Sequence, residues 1–143
     1  MISIFDIFKY SIGPSSSHTT APMNAGFLYR RKIFDLSNIN STDRLRVELY
    51  GSLSYTGKGH MTDKALMLGL RGYNILEKPF KNILTEYMKI KKLKFIQLKN
   101  CKINFNLRKD VIYKNSIINK KYSNVMKFYI LKNNKKYCIE EYY

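Results

Sequence analysis

Two short polar segments concentrate the residues able to do chemistry: Gly13-Pro14-Ser15-Ser16-Ser17-His18-Thr19 and Tyr55-Thr56-Gly57-Lys58-Gly59-His60-Met61-Thr62-Asp63. Each ends where a helical pattern begins. The start of a helix offers backbone N–H groups without intrahelical partners and the positive end of the helix dipole, so each segment is suited to an anion. Ser15, Ser16 and Ser17 add three hydroxyls in a tight bend, followed by His18 and the cap candidate Thr19. In the second segment Lys58 can pair with a carboxylate, and Gly59 lets backbone approach a ligand closely. His60 stands just before a helix start, whose positive end lowers its pKa and favours neutral imidazole. That is the form a general base needs. A serine-rich turn by itself is equally a solvated cap, and a lone histidine at a helix start is commonly structural. The pair of loops is what suggests a small carboxylate ligand that also needs a proton moved.

Other chemistries fit less well. Gly57-Lys58-Gly59-His60 is too short for a dinucleotide fingerprint and lacks the first glycine and the Lys-Ser/Thr pair of a phosphate-binding P-loop. Two histidines without a Cys/His cluster make a poor zinc site. A triad could be drawn from Ser16, His60 and Asp63, but no nucleophile elbow supports a hydrolase.

Several elements must hold these loops. A helix is expected from about Ser17–Thr19 to Leu36, with Pro22 in its first turn, where a missing N–H costs little. Residues 37–43 read as a polar connection. Leu45, Val47 and Leu49 alternate with Arg46, Glu48 and Tyr50, the pattern of a half-buried strand that runs straight into the second loop. Thr62 and Asp63 open a second helix, with Gly72 as its stop. Phe80, Ile83, Leu84 and Tyr87 have helical spacing. Strands are expected at Ile103–Leu107, Val125–Leu131 and Tyr137–Tyr143, the last two joined by a Lys132-Asn133-Asn134-Lys135 turn. The composite is an α/β or α+β domain with a single mixed sheet and packed helices.

A chain of 143 residues, 45% hydrophobic, fits one globular domain. Its apolar runs are far short of the about 20 residues of a membrane span. Asp6 interrupts the amino-terminal apolar stretch, which has no basic segment before it, so a cytoplasmic chain without a signal peptide is expected. Cys101 and Cys138 lack CxxC spacing and read as buried apolar thiols. The net charge of +16 is uneven: residues 1–73 hold nine Lys/Arg against five Asp/Glu, and residues 74–143 hold seventeen against five. The excess is scattered through Lys/Asn/Ile/Tyr-rich sequence of the kind AT-rich coding DNA produces, and no zinc-finger, RNP or helix-turn-helix spacing accompanies it. Specific nucleic-acid binding is therefore not expected, although weak adhesion at low salt is.

Gly-Pro-Ser-Ser-Ser-His-Thr near the amino terminus, with Tyr50-Gly-Ser-Leu-x-x-Thr-Gly-Lys-Gly-His-x-Thr-Asp63 after a strand, resembles the bacterial iron–sulfur L-serine dehydratases (L-serine ammonia-lyases, or L-serine deaminases). The opening Met1–Lys9 and the Pro22-Met23-x-Ala25-Gly26 stretch are similar too. The likeness is specific over residues 1–72 and weak beyond, until Tyr142-Tyr143, which resembles a family pair followed by a glycine-rich segment and a large catalytic domain. The resemblance implies that residues 1–143 form the amino-terminal β-domain only, with a fold like the allosteric substrate-binding domain of some phosphoglycerate dehydrogenases.

It further implies a lyase of serine catabolism and gluconeogenesis that converts L-serine to pyruvate and ammonia. In that family a [4Fe–4S] cluster of the catalytic domain acts as Lewis acid on the serine hydroxyl while a base removes the α-proton. Carried over, Ser15–Thr19, Lys58 and Gly59 would bind substrate and His60 would be the base. Ala21 departs from a common family glycine and Met61 from a second histidine. Cys101 and Cys138 match no cluster cysteine, so this chain alone is expected to hold no cluster and to be inactive without a catalytic α-domain in a homo- or hetero-oligomer. The alternatives are a stand-alone serine or small-carboxylate binding module with a regulatory role, and a non-functional truncated remnant. The two loops are expected to lie adjacent at one end of a sheet that contains the 45–50 strand.

Overall fold

The computed structural model describes residues 20–56, 62–74, 88, 92–115 and 124–143. Their elements are α1 (Thr20–Ile33), β1 (Arg44–Gly51), α2 (Ser52–Thr56), α3 (Thr62–Leu70), β2 (Phe95–Gln97), β3 (Lys102–Asn104), α4 (Leu107–Asp110), β4 (Val111–Lys114), β5 (Asn124–Lys132) and β6 (Lys135–Tyr142). The strands form one mixed sheet in the order β2-β3-β1-β5-β6, with β4 also paired to β1. β1 runs parallel to β3 and β4 and antiparallel to β5. This is the expected α/β architecture with a single mixed sheet.

β1 organises the core. Leu45, Val47 and Leu49 lie on one face and oppose Ile130, Phe128 and Met126 of β5, all buried. A strand alternates faces every residue, so Arg44, Arg46, Glu48 and Tyr50 occupy the other side. Tyr29 of α1 sits on the apolar face, its ring 5.0 Å from that of Phe128. Behind it α3 is buried on almost every side, from Thr62 through Ala65 to Leu70. A helix apolar all round belongs in a core rather than on a surface.

The two long helices touch through glycines. A Cβ on Gly69 would lie 2.0 Å from the Met23 carbonyl oxygen, and one on Gly26 would lie 2.8 Å from that of Leu66. Side chains are missing where the backbones need to meet. α3 then ends as expected at Gly72, whose φ of +91° only glycine adopts readily. The Tyr73 N–H reaches the Leu68 carbonyl and the Gly72 N–H that of Gly69, which together satisfy the orphan carbonyls of the last turn.

The β5–β6 hairpin turns through Asn133 and Asn134, at φ 51° and 64°. Consecutive left-handed residues make the turn whose twist matches its strands, and asparagine tolerates them. In β6 a bulge sets Cys138 and Ile139 opposite Tyr129, with Cys138 at φ 53° and its carbonyl accepting from the Tyr29 hydroxyl at 2.7 Å.

Two expectations change. The strand foreseen over Ile103–Leu107 stops at Asn104, because the Asn106 side chain accepts from the Arg108 N–H and opens a helical turn. β2 and β4 and the helical turn α2 are additions: α2 separates β1 from the second loop, which β1 was expected to enter directly. The helix expected around Phe80–Tyr87 lies outside the described residues. Among those described, no helix is long and apolar enough to cross a membrane.

Candidate functional site

Ser15, Ser16, Ser17, His18, Thr19, Lys58, Gly59 and His60 all lie outside the described residues. The structure instead defines the supports on which they are mounted. α1 starts at Thr20, directly after the first loop, and α3 at Thr62, directly after the second. The helices cross at Met23–Phe27 and Leu66–Leu70. At about 1.5 Å of rise per residue, each start is less than about 10 Å along its axis from the crossing, and axes separate by about 8 Å there. The starts are therefore within about 20 Å of each other, whichever way the helices run.

The chain that precedes the second segment is anchored as well. Gly51 ends β1 at φ 66° and turns the chain into α2. There the Ser52 hydroxyl meets the Asn124 side-chain oxygen, which also accepts from the Leu53 N–H at 3.2 Å. The Ser54 hydroxyl donates to the Asn115 side-chain oxygen at 3.0 Å. Asn115 and Asn124 thus tie α2 to the ends of β4 and β5 and set the direction in which the chain leaves at Thr56. At the far side Asp63 accepts from the Lys64 N–H at 2.9 Å, as expected of an acid at a positive helix end. Ala21 is exposed on the first turn of α1.

Sequence reading missed a buried carboxylate on the other face of the sheet. Glu48 accepts from the Tyr50 hydroxyl at 2.6 Å and the Tyr129 hydroxyl at 2.8 Å, with the Lys136 ammonium at 3.7 Å. Burial alone would raise its pKa. The two phenols and the nearby Lys136 and Lys114 outweigh that and hold it below the usual 4.5, while Tyr129 is pushed up to about 12 by its own burial and by Glu48. Both carboxylate oxygens are occupied, so Glu48 locks β1 to β5 rather than serving as a base. Because the folded pKa is depressed, this stabilisation is complete above about pH 5 and is lost as pH falls below 4.5 through the folded value. Glu48→Gln should cost about 1–3 kcal/mol at pH 7. It should also flatten the acid limb of a Tm-versus-pH series. An unchanged acid limb would remove Glu48 from this role.

Asp110 fills a similar part nearby. It is fully buried and accepts from Arg44 at 2.6 Å and from the Asn106 N–H at 2.6 Å.

The two cysteines can be tested as ligands for an iron–sulfur cluster. The Cys101 thiol donates to the Ile39 carbonyl at 3.3 Å, and burial raises its pKa, which disfavours the thiolate a cluster requires. Cys138 lies in the β6 bulge, packed against the core. Among the described residues no three His, Cys, Asp or Glu side chains are grouped to hold a metal ion. These residues do not fit a cluster.

The profile of the family described as serine dehydratase beta chain matches residues 3–143. Over 72 residues, half of this chain, the sequence is 56% identical to L-serine dehydratase TdcG of Escherichia coli (strain K12), covering 16% of that protein. The L-serine dehydratase of Haemophilus influenzae is 51% identical over 73 residues, 51% of this chain and 16% of the relative. That of Helicobacter pylori (strain ATCC 700392 / 26695) is 40% identical over 116 residues, 79% of this chain and 25% of the relative. The matched stretch thus spans a sixth to a quarter of these relatives. The chain belongs to the serine dehydratase beta chain family.

Proposed function

We propose that residues 1–143 act as the β-domain of a cytoplasmic L-serine dehydratase, contributing to the conversion of L-serine to pyruvate and ammonia. The observation that carries this reading is the glycine-mediated crossing of α1 and α3. It holds two helix starts within about 20 Å, and a histidine lies two residues before each, after three serines ahead of α1 and after Lys58 and Gly59 ahead of α3. Relatives named L-serine dehydratase share this half of the chain at 51–56% identity, which supports the choice of substrate.

In this reading Ser15, Ser16, Ser17, His18 and Thr19 hold the serine carboxylate with hydroxyls and helix-start N–H groups. Lys58 adds a counter-charge, and Gly59 keeps the backbone close. His60, two residues before the first residue of α3, takes the α-proton. Departure of the β-hydroxyl as water leaves an enamine, which tautomerises and is hydrolysed to pyruvate and ammonia. The iron–sulfur cluster of this family is held by residues outside these 143, in a catalytic domain that forms the active assembly with this one.

Ser16→Ala in the active assembly should raise KM several-fold with little change in kcat. A carboxylate contact made equally in ground and transition states affects binding more than turnover. Steady-state pyruvate formation checks it, and a fall in kcat at unchanged KM would move Ser16 from binding into the chemical step.

A further inference from the structure

A cleft of about 560 Å3 opens beside the first turn of α3, and its walls include Asp63, Lys64, Lys94, Asn106, Arg108 and Lys109. Its size is that of a small-molecule site. Its charge is mostly positive. Many described cations are matched elsewhere: Arg44 and Arg46 lie against Asp110, Lys132 on Asp43 and Lys127 on Glu141, while Arg30 and Arg71 lie over phenyl rings. Lys94, Arg108 and Lys109 are exposed at the cleft with no carboxylate or ring against them among the described residues. The acid in the wall, Asp63, accepts the N–H of Lys64 and so caps its own helix. Like charges gathered around a concavity focus a positive potential into it, which raises the local concentration of anions.

We propose that this cleft binds a small multivalent anion, a phosphate ester or a polycarboxylate. Serine itself is a poor match, since its single carboxylate is offset by its own ammonium group. A dianion or trianion can engage several of these cations at once through charge-assisted hydrogen bonds. The inference rests on described side chains and does not depend on the dehydratase reading.

Isothermal titration of the full chain at about 0.15 M salt, where long-range attraction is screened, tests it with pyrophosphate and citrate as probes and acetate as the monovalent control. One saturable site for pyrophosphate or citrate is expected, with acetate silent. Arg108→Ala combined with Lys109→Ala should weaken it at least about tenfold, the loss of one or two charge-assisted contacts. The cap of α4 uses the Arg108 backbone N–H and survives this change. Lys94→Ala gives an independent variant should the double one misfold, and Lys135→Ala, in the hairpin, should change nothing. Absence of saturable binding would overturn the proposal. So would equal weakening by Lys135→Ala, or tighter binding of a short single-stranded oligonucleotide that ignores Arg108 and Lys109, since each marks diffuse adhesion to the net charge of +16.

Discussion

Replacing His60 by alanine in the active dehydratase assembly is expected to lower kcat at least about 100-fold, because a positioned general base contributes about 10²–10⁴. Only Met61 separates His60 from Thr62, the first residue of α3. A positive helix end favours a neutral imidazole over an imidazolium, and the neutral form is the one that accepts a proton. The role proposed for His60 is chemical rather than structural, so the variant should unfold with the parent's midpoint. KM should move much less than kcat, which separates loss of a base from loss of a binding contact. Single-turnover measurement of pyruvate from L-serine checks this. A folded His60→Ala protein working at the parent's rate would place the base elsewhere and leave His60 only a part in shaping the pocket.

Gly69→Ala is expected to be the most damaging single methyl group in the described structure. Alanine is the better helix former by about 1 kcal/mol, so a surface glycine replaced in this way would stabilise. Here the added Cβ would lie 2.0 Å from the Met23 carbonyl oxygen and 3.0 Å from the Phe27 nitrogen, and both are backbone atoms. No rotamer change relieves that contact. The helices must part, at a cost of about 3 kcal/mol or more for overpacking, enough to lower Tm by roughly 10 °C in a domain of this size. Gly26→Ala, whose Cβ would reach the Leu66 oxygen at 2.8 Å, should cost less. Thermal unfolding of both variants checks the order. Since the crossing also spaces the two helix starts, an assembly that tolerates Gly69→Ala should still lose turnover. A Gly69→Ala protein as stable as the parent would show that the helices do not meet at this glycine.

Much of the scaffold around the site is legible in the amino-acid sequence, wherever a residue's own backbone preference decides the outcome. Gly72 stops α3, the Asn133-Asn134 pair turns the hairpin, and the alternation from Leu45 to Tyr50 forms β1. β2 and β4 escape such reading because three or four residues carry no recognisable period. The strand expected through Leu107 is cut short by a cap, a local hydrogen bond that competes with the ladder. The candidate site divides in the same way. Its loops stand out because serine, histidine and glycine gather beside helix starts. Asn115, Asn124 and Glu48 do not, because what gives them a role lies 61 to 81 residues away in the chain. No local pattern distinguishes an asparagine that receives a distant turn from one that faces water.

That these two loops handle L-serine in a dehydratase is tested most directly by a graft. The 72 residues of this chain that match L-serine dehydratase TdcG would replace their counterparts in that protein, and pyruvate formation from L-serine would be measured. Turnover within about tenfold of the parent is expected, a loss of no more than about 1.4 kcal/mol of transition-state stabilisation, with collapse of that turnover when the graft also carries His60→Ala. A graft that folds as stably as the parent yet forms no pyruvate would contradict the role given to both loops.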